Sequence, residues 1–247
     1  MAEAPFFIGW SNKLPRATLG FMAMVSVAVI LVAGALGFAI GATAVDPGGG
    51  DYTFPELTMT GVIAEQPYPI LRIAADAGHP ASHAVMLSSE GTNGAAGTIA
   101  GLAGKRVEVR GLLIKRGDLD MFEIADGGVS EPQSEAALPP ASVPLGHWRI
   151  TGEICDGKCY TGAMRPGAGL AHKACAGICF IGGVPAVFVS TRPVEGQNFM
   201  LMVDAKTGKF IDAFHDLAAL RISIEGDLER VDDLLVFRVD PATAKVL

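Results

Sequence analysis

The sequence is short of the features that usually identify a function. Its four cysteines all fall between residues 155 and 179, and the rest of the chain contains no thiol. The spacings C-x-x-C, typical of zinc ribbons and dithiol redox sites, and C-x-x-C-H, typical of haem attachment, are absent. No Ser/His/Asp or Cys/His/Asn pattern can be located. We therefore predict no catalytic residues, and a thiol-dependent enzyme remains only an alternative.

An excess of positive charge is also missing. Beyond residue 45 the chain carries 17 Lys and Arg against 25 Asp and Glu, a net charge of −8. A nucleic-acid-binding surface needs clustered positive charge, so this composition argues against a nucleic-acid partner. It does not identify a small-molecule ligand.

Charge of either sign is absent between Arg16 and Asp46, where the chain is almost wholly apolar. As a helix this run would extend roughly 40 Å, more than the roughly 30 Å of hydrocarbon in a bilayer. It predicts a transmembrane helix over residues 18–45. A cleaved signal peptide is the alternative, because Ala42-Thr-Ala44 resembles a cleavage site, but apolar cores of signal peptides are only about 7–15 residues long. No second apolar run approaches this length.

The charges on either side of the predicted span indicate its orientation. Lys13 and Arg16 precede it, whereas acidic residues follow it from Asp46 onward. The positive-inside rule then places residues 1–17 in the cytoplasm and everything after Val45 outside. For a bacterial chain this means a single-pass inner-membrane protein with its C-terminal domains in the periplasm.

Small residues recur every four positions within the span. Ala33, Gly37 and Gly41 form a small-xxx-small stripe that lets another helix approach closely. Gly and Ala are also simply common in membrane helices. The stripe predicts an integral membrane protein as partner.

Glycine and proline divide the exported part into two modules, one on each side of a Pro/Gly-rich linker. The modules correspond without a gap: Leu102–Leu113 matches Leu217–Leu228 with Arg, Gly and Leu in register. The module starts also correspond, with Gly61 aligned to Gly152. We therefore predict an internal duplication. The predicted organisation is a cytoplasmic N-terminus 1–17, a transmembrane helix 18–45, a linker 46–56, module one 57–125, a linker 126–146 and module two 147–247.

Each module contains about five short β segments, with a strand bent at Gly111 or Gly226 and a following hairpin. In module one a short helical turn precedes the fourth strand. This order resembles the OB-fold, a five-stranded small barrel. The resemblance implies an all-β exported region of two duplicated OB-like barrels, but an architecture shared by binders of many ligands does not identify a function.

Module two differs by an insertion over residues 155–183, and this insertion contains every cysteine. The pattern is C-x3-C, a Gly/Pro-rich run, then H-x2-C-x3-C. A short helix over residues 168–180 would place His172, Cys175 and Cys179 on one face. This face is expected to meet Cys155 and Cys159 at the end of the first strand.

Three chemistries fit this insertion. Four cysteines outside the cytoplasm favour two disulfides, Cys155 with Cys175 or Cys179 and Cys159 with the other, and this requires no cofactor.

The same thiols with His172 and Met164 are soft ligands for copper or zinc. The C-x3-C pair with a histidine resembles the ligand sets of copper-delivery thioredoxin-like proteins and of the binuclear copper centre of oxidase subunits. The order of His and Cys and the surrounding fold both differ from those families. A single reactive thiol is the third alternative.

The sequence therefore supports two main hypotheses. The first is a non-catalytic accessory or binding subunit of a membrane assembly, which could be respiratory or electron-transferring, with the insertion held by disulfides. The second is a periplasmic copper- or zinc-binding protein for redox chemistry or metal delivery.

Overall fold

The computed structural model describes residues 16–43, 49–52, 55–75, 82–132, 134–135 and 139–247. The chain divides into two compact units, Met1–Asp46 and Pro47–Leu247. Several sequence predictions fall outside the described residues, namely most of the cytoplasmic N-terminus and the stretch 44–48 with its cleavage-site residue Ala44.

The first unit contains one long helix, α1 (Arg16–Thr43). Within it, Thr18–Ala42 is long and apolar enough to cross a membrane, and its side chains are exposed. The predicted N-terminal apolar helix is thus confirmed, with a length and composition that fit a membrane anchor or a signal sequence. No described atom lies within 4 Å of the position that a Cβ would take at Gly37 or Gly41.

The second unit is mainly β, as predicted. Its described strands are β1 (Asp51–Tyr52), β2 (Leu57–Ala64), β3 (Ile70–Ile73), β4 (His83–Ser89), β5 (Lys105–Arg116), β6 (Leu119–Val129), β7 (Ser134–Glu135), β8 (Ser142–Asp156), β9 (Ala186–Val194), β10 (Gln197–Asp204), β11 (Ile222–Val231) and β12 (Leu234–Val246). Two short helices are α2 (Lys173–Ile181) and α3 (Ala213–Leu217). Strands β6 and β8 extend into the region predicted as the linker 126–146.

The strands form two sheets, of which the second closes into a five-stranded barrel in the order β10-β12-β11-β8-β9. In the first sheet β2 pairs with β3 and β5, β4 pairs with β3, and β6 pairs with β4 and β5. The barrel has the equivalent pairings among β8 to β12, including the parallel pair β10–β12 that corresponds to β4–β6.

Two glycines mark the bends that the sequence predicted. Gly111 in β5 and Gly226 in β11 each lie so close to the neighbouring strand that a Cβ would overlap a carbonyl oxygen, of Glu123 and Arg238 respectively. Because strand backbones approach this closely only without a side chain, glycine permits the long strand to bend and take part in both of its pairings.

The two sheets share a core and a charged seam. Ile70, Met86 and Met121 of the first sheet belong to the same buried cluster as the barrel interior. Arg72 of β3 donates two hydrogen bonds to the Asp232 carboxylate, from Nε and Nη2, each 2.7 Å long. The sheets therefore contact each other through apolar packing and through a buried ion pair.

Candidate metal centre

The cysteine-rich insertion connects two adjacent barrel strands. We call residues 155–183, which begin with the last two residues of β8 and end shortly before β9, the thiol segment. It contains a distorted helical turn at Cys159–Ala163, a single 3-10 turn at Leu170–His172 and then α2. A helix lies close to the range that the sequence predicted, 168–180.

The thiol segment is attached to the first sheet at both of its ends. Near its start, Lys158 Nζ donates to the carbonyl oxygens of Ser89 and Gly91 at 2.8 and 2.6 Å. The same ammonium lies 2.6 Å from a carboxylate oxygen of Glu123, and its side chain is almost wholly buried. Near the other end, the Gly182 carbonyl accepts a hydrogen bond from the Gly94 amide. These contacts hold the segment against the loop after β4.

Three of the four thiols come together. The Sγ atoms of Cys159 and Cys175 are 3.9 Å apart, and Cys179 packs in the same small cluster with Val184. The Cys175 thiol also donates toward Met164 Sδ at 3.3 Å. The structure thus brings Met164 and three of the four cysteines into one group, whereas the soft-ligand interpretation included all four.

The predicted disulfides are not present. All four cysteines are free, and the 3.9 Å between the Sγ atoms of Cys159 and Cys175 is well beyond bonding distance. Cys155 lies elsewhere: its side chain is fully buried in the main core with Ile154 and Val187. Burial raises the pKa of the Cys155 thiol well above its usual value. The expectation that Cys155 would join the other thiols is therefore not met, because this strand-end side chain packs into the core.

His172 is positioned by a carboxylate that the sequence reasoning did not single out. His172 Nε2 lies 2.7 Å from Asp156 Oδ2, and both side chains are almost wholly buried. The other oxygen, Asp156 Oδ1, accepts a hydrogen bond from the Cys159 amide at 2.8 Å. With Nε2 engaged by the carboxylate, Nδ1 is the ring nitrogen that remains for a metal, an arrangement common in metal sites. The available signal was the position of Asp156, three residues before Cys159.

The candidate ligand atoms form two overlapping sets. Those of Cys159, His172 and Cys175 all lie within 4.8 Å of one another, and so do those of Asp156, Cys159 and Cys179. Two sulfur atoms bound at about 2.3 Å to one tetrahedral ion are about 3.8 Å apart, so the 3.9 Å between Cys159 and Cys175 fits a shared metal. The donors therefore fit a soft metal ion.

A hydrogen bond between Cys159 and Cys179 shifts the pKa values of the two thiols in opposite directions. It raises the pKa of Cys159 and lowers that of Cys179. Desolvation by burial raises the pKa of Cys175. The lysines that the sequence placed beside the thiols have other partners, since Lys158 is paired with Glu123 and Lys173 donates to the Asp216 carbonyl. In this geometry a bound cation, rather than a lysine, would favour the thiolates.

A cavity of about 410 Å³ lies beside the thiols. Cys159, Cys175 and Cys179 line it together with Met164, which is 45% exposed. Tyr52, whose hydroxyl donates to Glu123 at 3.3 Å, also lines this cavity. Both residues belong to the first sheet, and the sequence around the cysteines gave no indication of them. The ligand group is thus accessible from one side.

Comparisons with family models, with curated proteins and with solved structures found no match for this chain.

Proposed function

We propose that this protein is a membrane-anchored metal-binding protein whose thiol segment holds copper or zinc for delivery or redox use. The main support is that the ligand atoms of Cys159, Cys175 and His172 all lie within 4.8 Å of one another. The imidazole is oriented by its contact with Asp156. Thiolate and imidazole groups are ligands that both metals accept.

The surroundings of the site favour copper and an exchangeable ion. The Met164 thioether lies 3.3 Å from the Cys175 thiol, and thioethers are soft ligands that select Cu(I). The adjoining cavity leaves one side of the ligand group open, whereas structural zinc sites are closed by four protein ligands. An open, partly exposed sulfur site suits a protein that receives and releases its metal.

The anchoring and the compartment are part of the same proposal. Helix α1 would hold the chain in a bacterial inner membrane, with the N-terminus in the cytoplasm and the β unit in the periplasm. The length of α1 supports a membrane span, and Lys13 and Arg16 on its N-terminal side support this orientation.

We also propose that the two sheets derive from one duplicated OB-like module. The sequence correspondence aligns Leu57 with Trp148 and Gly111 with Gly226. In the structure Leu57 pairs with Gly111, and Trp148 pairs with Gly226. Matching registers at aligned positions support a common origin and make the thiol segment an addition to one copy.

Metal content of the intact chain tests the proposed function. We expect the reduced protein, purified in detergent without oxygen, to bind Cu(I) in competition with a chromophoric chelator. Cys159→Ser, which removes the thiol common to both ligand sets, should abolish this binding, and Cys175→Ser should reduce it. Cys155→Ala is the matched control, since Cys155 lies outside both ligand sets and should retain the wild-type affinity. Absence of Cu(I) and Zn²⁺ binding by the folded, reduced protein would contradict the proposal.

A second candidate function is that of an accessory subunit in a membrane assembly, through the stripe of Ala33, Gly37 and Gly41. The open space at both glycines supports it, because a second helix can pack closely there. Replacing Gly37 and Gly41 by Ile should release a co-purifying membrane protein. Ala35→Ile, on the opposite side of α1, is the control and should retain the partner. Unchanged co-purification of the glycine variant would contradict this function.

A further inference from the structure

We infer that the thiol segment holds two Cu(I) ions that share the Cys159 thiolate as a bridging ligand. This inference rests on the proposed function and specifies the composition of the same site. It follows from the arrangement of the ligand atoms, which form two groups rather than one.

The two ligand sets have only Cys159 in common. One contains His172 and Cys175, the other Asp156 and Cys179. Among the described residues, no four of these ligand atoms all lie within 4.8 Å of one another. A single tetrahedral ion would have to draw its ligands from one set and leave the other unused. A thiolate has enough lone pairs to bind two metal ions, so Cys159 can serve both sets.

The first position has three donors and a fourth nearby. Cys159 and Cys175 supply sulfur at a mutual distance of 3.9 Å, and His172 supplies a ring nitrogen within 4.8 Å of both. Met164 Sδ, 3.3 Å from Cys175 Sγ, adds a thioether on the cavity side. This is a soft, nearly complete coordination sphere.

The second position offers two thiolates and a carboxylate that is already in use. Asp156 Oδ1 accepts from the Cys159 amide and Oδ2 pairs with His172, so this carboxylate orients ligands rather than coordinating. Cys159 and Cys179 then remain as the metal donors. Zinc normally requires four ligands, whereas a soft cuprous ion needs fewer and prefers sulfur. The donor count therefore selects Cu(I) for both positions.

Charge favours loading both positions. Three thiolates carry three negative charges, and the nearby Lys158 ammonium is already paired with Glu123. Two cuprous ions leave one negative charge, whereas a single ion would leave two if all three thiols ionised. Metal binding requires deprotonated thiols, so each bound cation favours the thiolate form of the cysteines that hold it. On binding, three S–H groups release their protons to solvent, two Cu(I) ions bind, and no oxidation state changes.

Stoichiometry in matched variants tests this inference on the full chain in detergent, reduced and free of oxygen. With Cu(I) supplied against a chromophoric chelator, we expect two ions per chain for the wild type and for Cys155→Ala. Cys175→Ser and Cys179→Ser should each retain one ion, because each removes a ligand of a different set. Cys159→Ser should lose both. X-ray absorption should show copper–copper scattering in the wild type and lose it in Cys175→Ser and Cys179→Ser.

The outcomes separate this inference from the proposed function. One ion per wild-type chain, with no copper–copper scattering, would overturn the two-ion centre and leave the metal-binding function intact. No metal in the folded wild type would overturn both. Circular dichroism establishes that each variant is folded, and the use of both Cys175→Ser and Cys179→Ser keeps the test decisive if one of them unfolds.

Discussion

Asp156 links two parts of the thiol segment through its two carboxylate oxygens. One oxygen receives the Cys159 amide, and the other holds the His172 imidazole. This single buried side chain therefore sets both the start of the helical turn and the orientation of the only histidine in the ligand group.

Removing the charge of Asp156 while keeping its shape should weaken metal binding. In Asp156→Asn an amide faces His172 and polarises the ring less, and loss of such a partner typically lowers metal affinity by about 10–100-fold. Competition titration with a Cu(I) chelator measures the change. Asp118→Asn, at an exposed position, is the control and should have wild-type affinity. An unchanged affinity in Asp156→Asn would show that the carboxylate does not act on the metal ligand.

Lys158 attaches the thiol segment to the first sheet. Its ammonium contacts Glu123 at 2.6 Å and both side chains are largely buried. Lys158→Met should lower the free energy of unfolding by about 3–5 kcal/mol, because it leaves a buried carboxylate without its partner. Chemical denaturation measures this loss. The double variant Lys158→Met/Glu123→Gln should recover part of the stability, and Lys206→Met, at an exposed position, should change little.

At the scale of elements, α2 ends where it meets the loop after β4. A Cβ at Gly182 would overlap the Thr92 carbonyl oxygen, whereas a Cβ at Gly177, within α2, would meet no described atom within 4 Å. Gly182, directly after α2, and Gly177, within it, therefore have opposite roles. Gly182 permits close docking, while Gly177 leaves room for a side chain.

A pair of alanine substitutions should separate these roles. Gly182→Ala should lower the stability by about 1–3 kcal/mol, since the overlap forces the backbone apart. Gly177→Ala should raise it by about 0.5–1 kcal/mol through helix propensity. Thermal and chemical unfolding measure both. Equal effects of the two substitutions would contradict the docking of the thiol segment on the β4 loop.

At the scale of the whole β unit, the two sheets are joined by ionised groups as well as by apolar packing. His83 of β4 lies between Asp120 of β6, at 3.0 Å, and Asp233, just before β12. Lys115 contacts the same Asp120 carboxylate. Hydrogen bonds to Asp120 and Asp233, the largest causes, raise the pKa of His83 from 6.5 to about 9. The imidazolium is thus held between carboxylates of both sheets.

The position of His83 between these carboxylates predicts a pH dependence of stability. Because the folded-state pKa of His83 exceeds its unfolded value, its contribution is fully present below pH 6.5 and is lost as the pH rises to about 9. The loss should amount to at most about 3 kcal/mol. Chemical denaturation at pH values from roughly 6 to roughly 10 measures this loss of stability. His83→Gln should remove this dependence, whereas His147→Gln, at an exposed position, should retain it. A wild-type stability that does not change with pH over this range would contradict a protonated His83 between the two carboxylates.

Much of the architecture could be predicted because its signals are local. The uncharged apolar run indicated α1, alternation of apolar and polar residues indicated the strands, and Gly111 and Gly226 indicated the bends. The thiol segment was located by composition alone, since every cysteine lies within it. Contacts between distant parts of the chain had no such signal: neither Asp156 as the partner of His172 nor Glu123 as the partner of Lys158 follows from spacing.

The sequence by itself determined a mainly β protein with an N-terminal apolar helix and a single cysteine-rich insertion, because period-2 alternation, hydrophobic length and composition are properties of neighbouring residues. Only the tertiary structure decided which thiols meet. Cys155 packs in the core, whereas Cys159 lies beside Cys175, Cys179 and His172. The reason is physical: burial at a strand end and docking of the segment onto another sheet depend on surfaces that residues far apart in the chain create together.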